Sequence, residues 1–238
     1  MSEKPKKEDS SAAFKMVPVT RETYQEQSYR KLRDALMKGR FKPGDTVSLR
    51  TLATELGTSP MPIREAVRHL IAEHALELRQ NRTFVVPLMS RVQLDELRKV
   101  RIILEGAVAY EAALVIKEAD IAEMTALQDE MNSAVSRRDS KRYLTKNRDF
   151  HFALYRSSNI SSAVDIIETL WLRIGPSFNF LLSGPDSTLQ HKNTSQHLLK
   201  HHSEILRAVR ARDGDAARKA ITGDINDGMR VLIEKARG

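Results

Sequence analysis

The 238-residue chain contains no cysteine. That absence excludes disulfides and thiolate metal sites together, and it fits a reducing compartment. No apolar run is long enough to span a bilayer, and no signal-peptide core follows the basic start. The expectation is a cytoplasmic protein with no membrane partner. No segment repeats at a fixed period. The β signal disappears after Ser90. No nucleophile with a neighbouring base stands out, so nothing marks that kind of catalysis.

What the chain does have is positive charge, unevenly placed. The formal net charge is +8. Residues 1–89 carry 16 Lys and Arg against 11 Asp and Glu, whereas residues 90–238 carry 23 against 20. A basic excess suits a polyanion such as DNA, because neutralised phosphates release condensed counterions. A soluble protein that is merely basic shows the same balance.

Three segments follow from composition and period. Residues 1–20 mix charge, Ser and Pro without periodicity and read as a flexible tail. Residues 21–89 read as a compact unit. Its first helix runs from about Arg21 to Lys38 and is ended by Gly39 and Pro43-Gly44. Ser48 is placed to cap a second helix, Leu49 to Leu56, which Gly57 closes. Ser59 is placed to cap a third, from about Pro60 to Glu73, with Pro62 disturbing its start. Two β-prone pieces, 76–78 and 84–86, flank a turn at 80–83.

Three helices and a two-stranded wing make a winged helix-turn-helix. In such a unit one helix enters the major groove, where each base pair has its own donor and acceptor pattern. The third helix carries Arg64 and Arg68, and the second begins with Arg50. Arg64 lies near enough to the helix start for bidentate contact with guanine. Ser59 sits where a helix N-terminus attracts phosphate. Arg79 and Arg82 lie on the wing. Each Arg alone also reads as a solvated surface charge; together on one small basic unit they read as a DNA footprint.

Residues 90–238 give six helical stretches, about 91–116, 118–137, 139–157, 160–182, 189–211 and 213–236, with Pro176 kinking the fourth and a break at Ser183-Gly184-Pro185. The fold class is therefore mainly α: a winged helix-turn-helix, then an all-α antiparallel bundle of about six helices.

Polar residues interrupt three of the apolar stripes in this bundle. They are Asn147 and His151, four apart, then His202, then Asp224. Buried polar groups need partners. A divalent metal held between helices would satisfy all four. Hydrogen-bonded core histidines and an Asp paired with Arg would do so without one. His197 and His201 form a rival pair. Arg101 is another inward charge, suited to an effector carboxylate or to an ion pair with Glu105 or Asp224.

The run SLRTLATELGTSPMPIREAVRHLIAEHAL, followed by RQNRTFVVPL, resembles the GntR family of bacterial regulators. That resemblance implies operator contacts by Arg50 and Arg64, with Ser59 and Met61 at the start of the reading helix. Pro60 stands where the family usually has a base-reading Arg, and Thr83 replaces the usual wing Gly.

LDELRKVRIILEGAVAYEAA, NRDFHFALYRSSN and HHSEILRAVRARDGDAARKAI resemble the FCD domain of the FadR-like branch, and six helices suggest its shorter, VanR-like version. There an Asp, three His and a divalent metal help bind a carboxylate. Carried over, those ligands fall on Asn147, His151, His202 and Asp224. The Asp has become Asn and the last His has become Asp. Zinc, nickel or manganese suits two imidazoles and two oxygens.

The expected function is a metabolite-responsive transcription regulator. Repression relieved by ligand is the commoner habit in the family. The implied partners are a near-palindromic double-stranded operator, a small organic acid or sugar acid, and a second copy of the chain. A metal-dependent enzyme on the bundle and a ligand-free architectural DNA-binding protein are the competing classes.

Overall fold

The computed structural model describes residues 23–80, 83–182 and 192–236. The expected tail and Arg82 lie outside them, as do the residues of the break at 183–185.

Helix α1 spans Tyr24–Met37. Thr23 and Glu26 cap it reciprocally: Thr23 Oγ1 accepts from the Glu26 amide at 3.2 Å, and Glu26 accepts from the Thr23 amide at 2.8 Å. Gly39 follows with φ +64°, the left-handed turn that lets the chain leave the helix. Helix α2 is Leu49–Leu56, capped by Ser48 and closed by left-handed Gly57. Helix α3 is Pro60–Ala72. Its apolar face, Ile63, Ala66, Val67 and Leu70, is buried, as are Leu32, Leu36 and Met37 of α1, against which it packs.

The wing is more than a hairpin. Strand β1 (Thr46–Val47) pairs antiparallel with β3 (Phe84–Val85), which also pairs with β2 (Glu77–Leu78), giving the order β1-β3-β2. The expected two-stranded wing is therefore a three-stranded sheet. Two residues are too few to show a period of two, so β1 left no trace in the sequence pattern.

Helix α4 (Arg91–Val115) begins with a capping box from Ser90 and Gln93. Helices α5 (Glu118–Ser136), α6 (Ser140–Ser157) and α7 (Ser161–Ile174) follow. The expected single helix over 160–182 is broken, not just kinked. Pro176 has no amide hydrogen, and the chain tightens into a 3₁₀ turn, Gly175–Phe178, before the short α8, Asn179–Leu182. Helices α9 (Lys192–Arg210) and α10 (Gly214–Lys235) complete the bundle. α10 packs along α4, and α5 packs on α6 and α9. Phe150, Phe152, Tyr155 and Trp171 are fully buried at its centre. Among the described residues, no helix is long and apolar enough to cross a membrane.

The 3₁₀ turn and α8 also hold the winged unit. Asn179 Nδ2 donates to the carbonyls of Gly39 at 2.6 Å, Phe41 at 2.9 Å and Pro176 at 3.1 Å. Gly175 lies so close to the end of α1 that a Cβ there would fall 2.6 Å from the Leu36 carbonyl oxygen. Arg33 of α1 pairs with Glu168 of α7.

Candidate DNA-reading face and metal centre

The outer face of α3 is built by subtraction. Ile63, Ala66, Val67 and Leu70 turn inward, which leaves Met61, Arg64 and Arg68 outside. Arg64 is exposed, and its side chain makes no hydrogen bond or ion pair with a described residue. Arg50, at the start of α2, is likewise exposed and unpaired among the described residues. Arg68 is exposed but tethered to Glu65 at 2.9 Å, one turn earlier.

Ser59 occupies the cap position of α3, with φ −82° and ψ 163°, yet its side chain makes no capping bond. The expectation of a capping Ser59 is thus corrected, and the sequence explains why. A capping oxygen accepts from the second or third helical amide. Position three is Pro62, which has none, so only the Met61 amide at position two remains as a donor. The hydroxyl is left exposed at the mouth of the reading helix. Pro62 does not disturb the helix start, because the first turn needs no amide hydrogens of its own.

Within the bundle, α6, α9 and α10 bring three of the four expected ligands together. His151 and His202 are fully buried, while the Asp224 side chain is 22% exposed. His151 Nε2 lies 3.3 Å from His202 Nε2 and 3.4 Å from Asp224 Oδ2. His202 Nε2 lies 3.8 Å from Asp224 Oδ1. One ligand atom from each falls within 4.8 Å of the others. Asn147 stands one turn before His151 on α6, half-buried, with no hydrogen bond to a described residue. Of the rival pair, the His197 side chain lies outside the described residues. His201 is held by Glu204 at 3.0 Å and Asp227 at 2.9 Å.

The hydrogen bonds fix one tautomer. Tyr155 Oη donates to Glu105 Oε2 at 2.6 Å, so it can only accept from His151 Nδ1, 3.3 Å away. His151 therefore carries its proton on Nδ1 and turns the Nε2 lone pair toward His202 and Asp224. His202 Nδ1 is buried without a hydrogen-bond partner among the described residues.

Burial sets the charges. It holds the His151 imidazole well below its ordinary range, helped by His202 and Arg101, and brings His202 down to about 3. Burial pushes Asp224 up to about 6, against the pull of His201 and Arg101. Both imidazoles are neutral at pH 7, the form that binds metal.

Arg101 is not a free cation. Its Nε donates to Glu105 Oε1 at 2.7 Å and its Nη2 to Oε2 at 3.2 Å. Both side chains are buried, at 3% and 0% exposure. The guanidinium also lies 5.0 Å from the Trp171 ring centre. Burial would lower the Arg101 pKa, but the Glu105 carboxylate outweighs it and raises it. Of the two partners expected for an ion pair, the structure takes Glu105.

The GntR family of bacterial regulatory proteins matches residues 24–86, and the FCD domain matches residues 96–227. The chain belongs to the GntR family. It is a transcriptional regulator with a DNA-binding helix-turn-helix and an FCD domain, of the FadR-like branch, and this displaces the metalloenzyme reading. The transcriptional regulator McbR of Escherichia coli K12 is 28% identical over 204 residues, 86% of this chain and 90% of McbR. The solved structure of E. coli McbR superposes with a TM-score of 0.82 at 27% identity, covering 90% of this chain and 99% of that one. The E. coli K12 transcriptional repressor RspR is 25% identical over 202 residues, 85% of this chain and 86% of its own. A GntR regulator from Rhodococcus sp. RHA1 shares the fold, with a TM-score of 0.72 at 22% identity and coverage of 90% and 99%.

Sequence reasoning missed two members of this site, Tyr155 and Trp171, and expected of Glu105 only an ion pair with Arg101. Glu105 accepts from Arg101, Tyr155 and the Trp171 indole, the last at 3.2 Å. Tyr155 and Trp171 are buried like core aromatics, yet each turns a polar atom to Glu105. The available signal for Tyr155 was spacing: it stands four residues after His151.

Proposed function

We propose that the chain is a metabolite-responsive repressor. A homodimer binds a near-palindromic operator through residues 21–89, and residues 90–238 bind a small organic acid or sugar acid beside a divalent metal. The DNA contacts are Arg50, Ser59, Met61, Arg64 and Arg68, with Arg82 of the wing added from the sequence. The working compartment is the cytoplasm.

One observation carries the metal half: the meeting of His151, His202 and Asp224 in the bundle core. Zinc–imidazole bonds of about 2.0–2.1 Å at a tetrahedral angle put neighbouring ligand atoms about 3.3–3.4 Å apart. Two of the three separations, 3.3 Å and 3.4 Å, fit that edge, and the third, His202 to Asp224, is longer at 3.8 Å. A proton shared between the two imidazoles satisfies only that pair and leaves Asp224 without a protein donor among the described residues. His151, His202 and Asp224 would hold the metal, with Asn147 as the fourth protein ligand. The metal supplies a Lewis-acidic point for a carboxylate oxygen. Asp224 is the exposed member, so an acid enters from its side. Arg101, in the same core, is the cation that would pair with the effector, exchanging part of its hold on Glu105.

The dimer is supported by α4. One stripe of α4 exposes Val92 (68%), Val100 (47%), Ile103 (74%) and Leu114 (46%). An apolar stripe of that length on one helix suits a two-fold contact, and two-fold protein symmetry matches a near-palindromic site.

The test uses protein purified without a nickel column. Elemental analysis gives about one equivalent of a transition metal, and small organic acids then release labelled operator DNA only from the metal-loaded protein. Less than about 0.1 equivalent of metal, with no thermal stabilisation on adding one, overturns the metal reading.

A further inference from the structure

The start of α3 is apolar in a way that points to one kind of base contact. Pro60 and Pro62 remove two of the amide donors that a helix N-terminus normally offers. Ser59 adds no capping bond. Between the two pyrrolidine rings stands Met61, 66% exposed although it is a large apolar side chain. It lines an open cleft of about 560 Å³ with Thr23, Tyr24, Thr58 and Ser59. Nothing among the described residues covers it.

We infer that Met61 determines operator specificity by reading the 5-methyl group of thymine. The inference rests on α3 being the helix that enters the major groove. In that groove each base pair displays hydrogen-bonding atoms, and thymine adds the C5-methyl. A polar helix tip would gain little there from an exposed thioether; an apolar tip places it against that methyl. Met61 and Arg64 are three apart, so their side chains leave the helix about 5–6 Å apart on one face. With about 3.4 Å per base step, the thymine read by Met61 lies one or two pairs from the guanine read by Arg64. Because two prolines weaken the phosphate pull of this helix end, methyl contact carries more of the discrimination than at a helix tip with all its amides.

The experiment begins with duplexes selected from a random pool by the full-length protein. Each thymine of the selected site is then replaced by deoxyuridine, which lacks only the methyl. Wild type loses about three- to tenfold in affinity at one thymine per half-site. Met61→Ala binds the thymine and uridine duplexes equally, and Met61→Leu keeps a preference for thymine. Met61 is 66% exposed, so both variants fold, which their melting curves check. Equal wild-type affinity for every uridine duplex overturns the inference, and so does an unchanged uridine penalty in Met61→Ala. If no specific duplex is enriched at all, the DNA-reading assignment itself fails, which is a different result.

Discussion

Nε2 of His151 lies 3.3 Å from Nε2 of His202, inside a helical bundle and on two different helices. Neutral imidazoles pack that closely, nitrogen to nitrogen, only when a proton or a cation sits between them. Zinc at about 100 times its Kd stabilises a protein by about 2.7 kcal/mol. For a chain of this size that raises Tm by about 5–10 °C. His151→Ala abolishes the rise, and a rise that survives in His151→Ala locates the metal elsewhere.

Tyr155 is a positioning residue for the same site. It passes the charge of Glu105 to His151 Nδ1 and fixes the ligand tautomer. Tyr155→Phe keeps the ring packing and removes that link. Metal affinity drops about 10- to 100-fold, as for other outer-sphere partners of a ligand histidine. Competition with a chromophoric chelator reads the change. Unaltered affinity shows that the tautomer is held by something else.

Glu105→Gln leaves the Arg101 guanidinium buried without its counter-charge. Breaking a buried pair in this way costs about 3–5 kcal/mol. Urea unfolding followed by circular dichroism measures it. A cost under about 1 kcal/mol would mean that water reaches Arg101 once the carboxylate is gone.

The metal-free protein loses stability as the pH falls below 6.5. His202 is depressed from 6.5 to about 3, so between those values the unfolded chain binds a proton that the folded chain refuses. His151 acts in the same direction. Asp224 opposes them: raised from 3.8 to about 6, it takes up its proton in the folded state first. The two histidines outweigh the one carboxylate. Asp224→Asn therefore steepens the fall between pH 6 and 4. Chemical denaturation across that range checks the sign, and a flat profile for wild type contradicts it.

How much of this was legible in the sequence depends on what kind of signal each part leaves. α2 and α3 were readable because their apolar spacing, the Ser48 cap and Gly57 agree with one another. β1 was not, because Thr46–Val47 is a strand only by virtue of β3 beside it. Ser59 differs from the expected cap because residue type alone does not show that Pro62, three positions on, lacks an amide to offer. His151, His202 and Asp224 were legible as polar breaks in apolar stripes. Tyr155 and Trp171 were not, because Tyr and Trp satisfy an apolar stripe and show their polar tips only when a partner helix arrives. Neither was the role of Asn179, whose acceptors Gly39 and Phe41 lie 140 and 138 residues away.

The central claim is that α3 reads DNA, and Arg64 tests it most directly. Wild type and Arg64→Ala are titrated at one salt concentration against a duplex selected by wild type. Arg64→Ala loses about tenfold to a hundredfold in specific affinity, and Arg68→Ala loses less because Glu65 already engages that side chain. Equal affinity of wild type and Arg64→Ala for the selected duplex would contradict the claim.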